Sequence, residues 1–104
     1  MIPANEIEYW ASVGNCVQVR RAIDAGYDVN EQGESLYTAL HVAAENGHAE
    51  VARLLLDAGA NVDARLTTGQ TPLDLAVLAE HGDVSQLLRD YASLNHPERA
   101  PKNT

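Results

Sequence analysis

Four histidines, fifteen carboxylates and a single thiol are the side chains here that have chemistry to offer. His41 and His48 stand seven apart on either side of Gly47, so they do not share one helical face. His81 follows His48 by 33 positions, and His96 falls near the C-terminus. A metal centre needs Cys, His or carboxylate ligands at converging spacing, and no such spacing occurs. We therefore expect no metal. Glu6 with Glu8, and Asp74 with Glu80, are the nearest approach to paired carboxylates for acid–base work. Such a pair acts only beside a nucleophile, a base and a group that orients it, and none is assembled around either pair. Gly14 and Gly26 lie too far apart to cradle a phosphate and fit helix ends better. Cys16 has no neighbouring base and reads as a half-buried small residue; as the only cysteine it forms no internal disulfide. The chain is expected to be neither an enzyme nor a cofactor carrier.

What the residues do show is repetition. Thr38-Ala39-Leu40-His41-Val42-Ala43-Ala44 returns 33 positions later as Thr71-Pro72-Leu73-Asp74-Leu75-Ala76. His48, Val51, Leu54, Leu55 and Asp57 return as His81, Val84, Leu87, Leu88 and Asp90. A weaker copy precedes them. Ala44, Gly47, Arg53, Asp57, Ala58, Gly59 and Val62 correspond to Ala11, Gly14, Arg20, Asp24, Ala25, Gly26 and Val29. A fixed period of this length marks a stacked helical array. The reading is one domain over 1–99, in units of roughly 1–33, 34–66 and 67–99.

The middle unit reads Thr38-Ala39-Leu40-His41, Gly47-His48, Leu54-Leu55-Leu56 and Gly59-Ala60-Asn61-Val62-Asp63. These segments resemble the ankyrin repeat. The resemblance implies an all-α fold, a solenoid of about three helix-turn-helix units with projecting hairpin loops. It implies that the histidines organise turns through hydrogen bonds. It is specific for fold and not for partner.

The local signals agree. Thr38 is an N-cap, Pro72 follows Thr71 at the first helical position, and Gly47 and Gly59 end helices in the left-handed conformation. Helices are predicted over 6–13, 16–25, 39–46, 49–57, 72–80 and 84–92. Ala43, Ala44 and Ala76 keep neighbouring helices close, whereas Trp10 stands opposite Ala43 and marks 1–33 as a capping unit. In the third unit Asp74 replaces His41, Glu80 replaces Gly47 and Ala92 replaces Gly59. Gly82 comes two residues late, which predicts a longer turn between that unit's helices. This unit reads as the C-terminal cap. Residues 96–104 are polar with two prolines and read as a loose tail. Met1 and that tail lead us to expect a complete small protein.

The net charge of −8 disfavours nucleic acid and anionic membranes as partners. With no apolar leader and no spanning segment, a reducing cytoplasm fits best. A basic protein is the natural complement. The resemblance places partner contacts on the hairpin tips and the outward side of each first helix, which together form a concave face. Carried over position by position, the middle unit offers Glu34, Ser35, Tyr37, Glu45 and Asn46. The third offers Thr67, Thr68, Gln70, Leu78 and Ala79, the first Ser12 and Val13, and the hairpins Gln32 and Arg65. Tyr37 is the expected anchor. Glu31, Glu34 and Glu45 fall on this side, whereas Arg20, Arg53 and Arg89 fall on second helices. The expectation is a monomeric, non-enzymatic module whose acidic concave face binds a basic protein, with inhibition the simplest mode. An immunity protein that neutralises a bacterial toxin is one form of this. The rival is a structural piece whose end faces stack on further repeats.

Overall fold

The computed structural model describes residues 6–95. The described residues form six α-helices and no strand. These are α1 (Glu6–Ser12), α2 (Cys16–Asp24), α3 (Ala39–Asn46), α4 (Ala49–Asp57), α5 (Pro72–Leu78) and α6 (Gly82–Asn95), with a 3-10 turn over Glu34–Leu36. The first helices α1, α3 and α5 pack in one row, and the second helices α2, α4 and α6 in another. Each first helix also packs on its own second helix, so the core is two helices thick and runs the length of the stack.

Each helix starts and stops for a local reason. The Thr38 side chain accepts from the His41 amide at 3.2 Å, and His41 Nδ1 faces back to the Thr38 amide. Thr71 and Asp74 build the same box on α5, at 3.2 and 3.0 Å. Pro72 occupies a first-turn position of α5, where its missing N–H costs nothing. Gly47 closes α3 at φ 74°, left-handed.

The described side chains pack as small aliphatic layers. Ile7, Val19, Leu40, Val51, Leu55, Val84 and Leu88 are buried, and Ala11, Ala43, Ala44 and Ala76 are fully enclosed. Alanine at these points lets successive first helices approach closely. Val77 stands in the position of Ala11 and Ala44 but is 49% exposed, because no described element covers that side of α5.

Adjacent units interlock through histidine and glycine. His48 Nε2 donates to the carbonyl of Ser12 at 3.2 Å, and its ring lies over Gly14. A Cβ on Gly14 would fall 2.7 Å from Nδ1 of His48, and one on Gly47 2.6 Å from Nδ1 of His81. The hairpin loops are tied as well. Asn30 donates through Nδ2 to the Gly59 carbonyl at 3.1 Å and accepts from the Asn61 amide at 2.7 Å. The Thr67 amide donates to the Ser35 carbonyl at 3.0 Å.

The third unit corrects the expected helix bounds. Its interhelical turn is one residue longer than that of the middle unit, 79–81 against 47–48, as expected, but Gly82 does not form it. α5 ends at Leu78 rather than at 80, and Glu80 takes the left-handed position of Gly47 at φ 63°. His81 then donates its amide to Ala76 at 2.9 Å, as His48 does to Ala43 at 2.9 Å. The seat of His81 over Gly47 fixes this register, and packing carries the cost of a non-glycine there, about 1–2 kcal/mol. Gly82 is simply the first residue of α6. That helix also starts before 84 and runs past 92 to Asn95, because Ala92 offers no left-handed stop where Gly59 ended the middle unit. Smaller differences fall at the ends of α1 and α2, each one residue shorter than expected. The tail over 96–104 lies outside the described residues.

Two stability measurements check this packing. Leu55→Ala removes most of a fully enclosed side chain and should lower unfolding free energy in urea by about 2–5 kcal/mol. Gly59 is also left-handed, at φ 99°, but a Cβ there meets nothing within 4 Å. Gly59→Ala should therefore cost only the backbone term, about 1–2 kcal/mol. Gly47→Ala should cost a further 1–3 kcal/mol, roughly, for the collision with His81. Equal midpoints for the two glycine variants would show that the ring does not bear on Gly47.

Candidate protein-binding surface

The hairpin between the first two units projects Glu34 and Ser35 at its tip, both exposed. Ser35 and Leu36 are consecutive left-handed residues at φ 57° and 66°, held by the turn and by the bond from Thr67. The next hairpin carries Arg65, Thr67 and Thr68 exposed and Gln70 half-buried. Arg65 Nη1 donates to the Gly69 carbonyl at 2.9 Å, and the Thr68 hydroxyl to Gln70 Oε1 at 3.1 Å. Glu45 and Asn46 are exposed at the end of α3, where Asn46 Nδ2 donates to Val42 at 2.9 Å. Leu78, in register with Glu45, is 72% exposed on α5. Of the first-unit candidates, Val13 is exposed, and the Ser12 hydroxyl donates to Tyr9 at 2.6 Å.

Tyr37 joins this surface to the core. Its hydroxyl donates to Glu45 Oε1 at 3.3 Å, and its ring meets that of His41 edge-on, centroids 5.8 Å apart. Burial and then the Glu45 carboxylate push its phenol above the ordinary range. Half of this side chain is thus framework, and its outer edge is what a partner can meet.

Three carboxylates crowd the same region. Glu8 on α1 titrates above its ordinary value, first because it is partly desolvated and then because Glu31 and Glu34 repel its charge. Its carboxylate lies against Gly33, where a Cβ would fall 3.1 Å from Oε1. Glu8 also acts on the Tyr37 hydroxyl, so the acidic field runs from Glu45 past Tyr37 to Glu8, and from Glu8 to Glu31 and Glu34. In the sequence Glu8 stands out only as half of a carboxylate pair with Glu6. Its equivalence to His41 and Asp74, 33 and 66 positions on, was the signal that it sits where a first helix meets the next hairpin. Tyr9, 46% exposed and stacked edge-on against Trp10 at 4.9 Å, was missed as well. Leu78 and the second hairpin lie further along the rows and are not drawn into the acidic field.

His41 binds two units together. Nε2 donates to the Gln70 carbonyl at 3.0 Å, which can only accept. Nδ1 therefore carries no proton and accepts from the Thr38 hydroxyl at 2.9 Å. Asp74, at the same position of the third unit, keeps the local cap, but its carboxylate only accepts and has no donor to offer onward.

The family comparison matches a model described as ankyrin repeats in three copies, over residues 7–98. This chain belongs to the ankyrin-repeat family. A search of curated proteins found no match. Ankyrin repeats generally serve as protein–protein interaction modules and are typically non-enzymatic. Among the described residues no helix is long and apolar enough to cross a membrane.

The buried ankyrin histidine makes a pH-dependent prediction. Burial holds His41 below the ordinary imidazole value of 6.5, outweighing the bonds to backbone carbonyls that act the other way. The unfolded chain therefore takes up a proton on His41 more readily than the folded one. The stabilisation is complete above pH 6.5 and is lost as pH falls below it. His41→Gln should be less stable than wild type at neutral pH, and the gap should narrow between about pH 7 and 5. A gap that widened on acidification, in parallel urea titrations, would mean that the folded state holds the protonated ring.

Proposed function

We propose that this chain is a non-enzymatic binding module whose hairpin and first-helix side, the concave face of the solenoid, docks a basic protein. The supporting observation is the acidic field that runs past Tyr37. Glu31 and Glu34 already raise the pKa of Glu8, so a cation brought there relieves repulsion as well as gaining attraction. Opposite charge at such a face speeds encounter, and the half-buried ring gives a partner side chain something rigid to pack against. Glu34, Ser35, Tyr37, Glu45, Asn46, Arg65, Thr67, Thr68, Gln70 and Leu78 are the proposed contact set. Covering a basic surface, as an inhibitor does, is the simplest action for such a face, and neutralising a basic toxin is one instance.

The outer face of the third unit speaks against the stacking alternative on that side. A further unit seated like the others would lay a histidine over position 80, where Glu80 carries the Cβ that Gly47 lacks. Val77 replaces the enclosed alanine, and Asp74 the bridging histidine.

The test is capture from source cells by the wild type and two charge-matched variants. Glu34→Lys with Glu45→Lys should lose the basic protein retained by wild type, with association at least roughly tenfold slower at low salt. Asp24→Lys with Asp90→Lys makes the same change on second helices and should retain it. Added salt should weaken wild-type association more than that of the Glu34/Glu45 variant. Loss of capture in the second-helix variant alone would move the interface to the other side.

A further inference from the structure

The second-helix side carries a different surface, and the repeat register exposes it. Val17, Glu50 and Asp83 are equivalent, as are Arg21, Leu54 and Leu87. The first unit inverts the polarity of both positions. Val17 is 65% exposed where the next two units present carboxylates. Arg21 is exposed where they present leucines, and Leu54 is left half-buried although Leu87 is 9% exposed. The inversion opens a groove of about 510 Å³ between α2 and α4, lined by Cys16, Val17, Arg20, Arg21, Glu50 and Leu54.

The hollow it shares with Glu6, Trp10 and Tyr27 accounts for an arginine at 21. It does not account for an exposed valine at 17, where a carboxylate serves solubility in the other units. Two of the seven basic residues of a chain with net charge −8 border this one apolar groove. Only Glu50 opposes them in its lining.

We propose that the α2–α4 groove is a second docking surface, for a partner segment that carries carboxylates beside an apolar side chain. The apolar group enters between Val17 and Leu54 and removes both from water. The carboxylates meet Arg20 and Arg21, whose planar forks bind such groups in two-point fashion. An amphipathic acidic helix offers this arrangement, with carboxylates three or four residues apart around a leucine. The groove refuses the cationic partner that the opposite face attracts. The two faces thus select opposite chemistries, and the chain can hold two different proteins at once. The groove's own occupant does not depend on the function proposed for the acidic face; only the pairing of two partners rests on it.

The chain's only thiol lines the groove and reports on its occupancy. The probe is a synthetic amidated helical peptide of glutamate and leucine, with a lysine-for-glutamate version as its counterpart. Alkylation of Cys16 by iodoacetamide should slow at least about fivefold when the acidic peptide saturates the groove, and not with the lysine peptide. Anisotropy of the labelled acidic peptide reads the same binding independently of thiol reactivity. Both signals should vanish in Arg20→Glu with Arg21→Glu and in Val17→Glu, all exposed positions that leave the helices intact by circular dichroism. Both should persist in Glu34→Lys with Glu45→Lys. Equal binding of the lysine peptide would overturn the proposal. So would Cys16 protection that grows with protein concentration alone, which would make a second copy the occupant. Loss of binding in the Glu34/Glu45 variant would place the peptide on the other face and overturn it as well.

Discussion

An imidazole laid on a glycine joins each unit to the one before it. The ring of His48 rests on Gly14 and that of His81 on Gly47, at distances that leave no room for a Cβ. The same glycines make the left-handed turn that lets each second helix fold back on its first. One residue therefore sets both the angle within a unit and the distance between units. Everything displayed on the two sides inherits that spacing: the row that carries Glu8, Tyr37 and Glu45, and the row whose helices part at Val17 and Leu54. The alanines and aliphatic layers fill the space so defined. The bond from His41 to the Gln70 carbonyl extends the same logic to the loops.

The fold was legible because its determinants are local and repeated. Thr38, Gly47, Gly59 and Pro72 each announce a helix boundary by backbone chemistry alone, and α3 and α4 fall where those residues place them. The third unit is less legible because residue type and register disagree there. Gly82 looked like the turn former, but the left-handed position went to Glu80, since a contact from another unit decided where His81 must sit. Side-chain partners were harder still. That Tyr37 would give its hydroxyl to Glu45 and its ring to His41 depends on a hairpin folding back over α3, and no spacing rule contains that. The place of Glu8 in the acidic field is hidden in the sequence because the first unit matches the others weakly around it. Its field arises from Glu31 and Glu34, more than 20 positions away in sequence.

Polarity is divided across the thickness of the stack. Carboxylates gather where loops and first helices meet, and two adjacent arginines border a gap between second helices. The division follows from the architecture, since the core between the rows is apolar and neither surface is asked to bury the other's charge. A stack only two helices thick therefore carries unlike surfaces back to back. The acidic field is felt on Glu8 and on the Tyr37 hydroxyl, both on its own side.

Glu80 in the third glycine position also says how such a protein can change in length. A duplicated copy of 34–66 inserted beside the original would find glycine beneath its histidine and would offer glycine to the unit above. The same copy placed after the third unit would find a glutamate. Growth of the array by gene duplication is thus permitted from within and obstructed at this end.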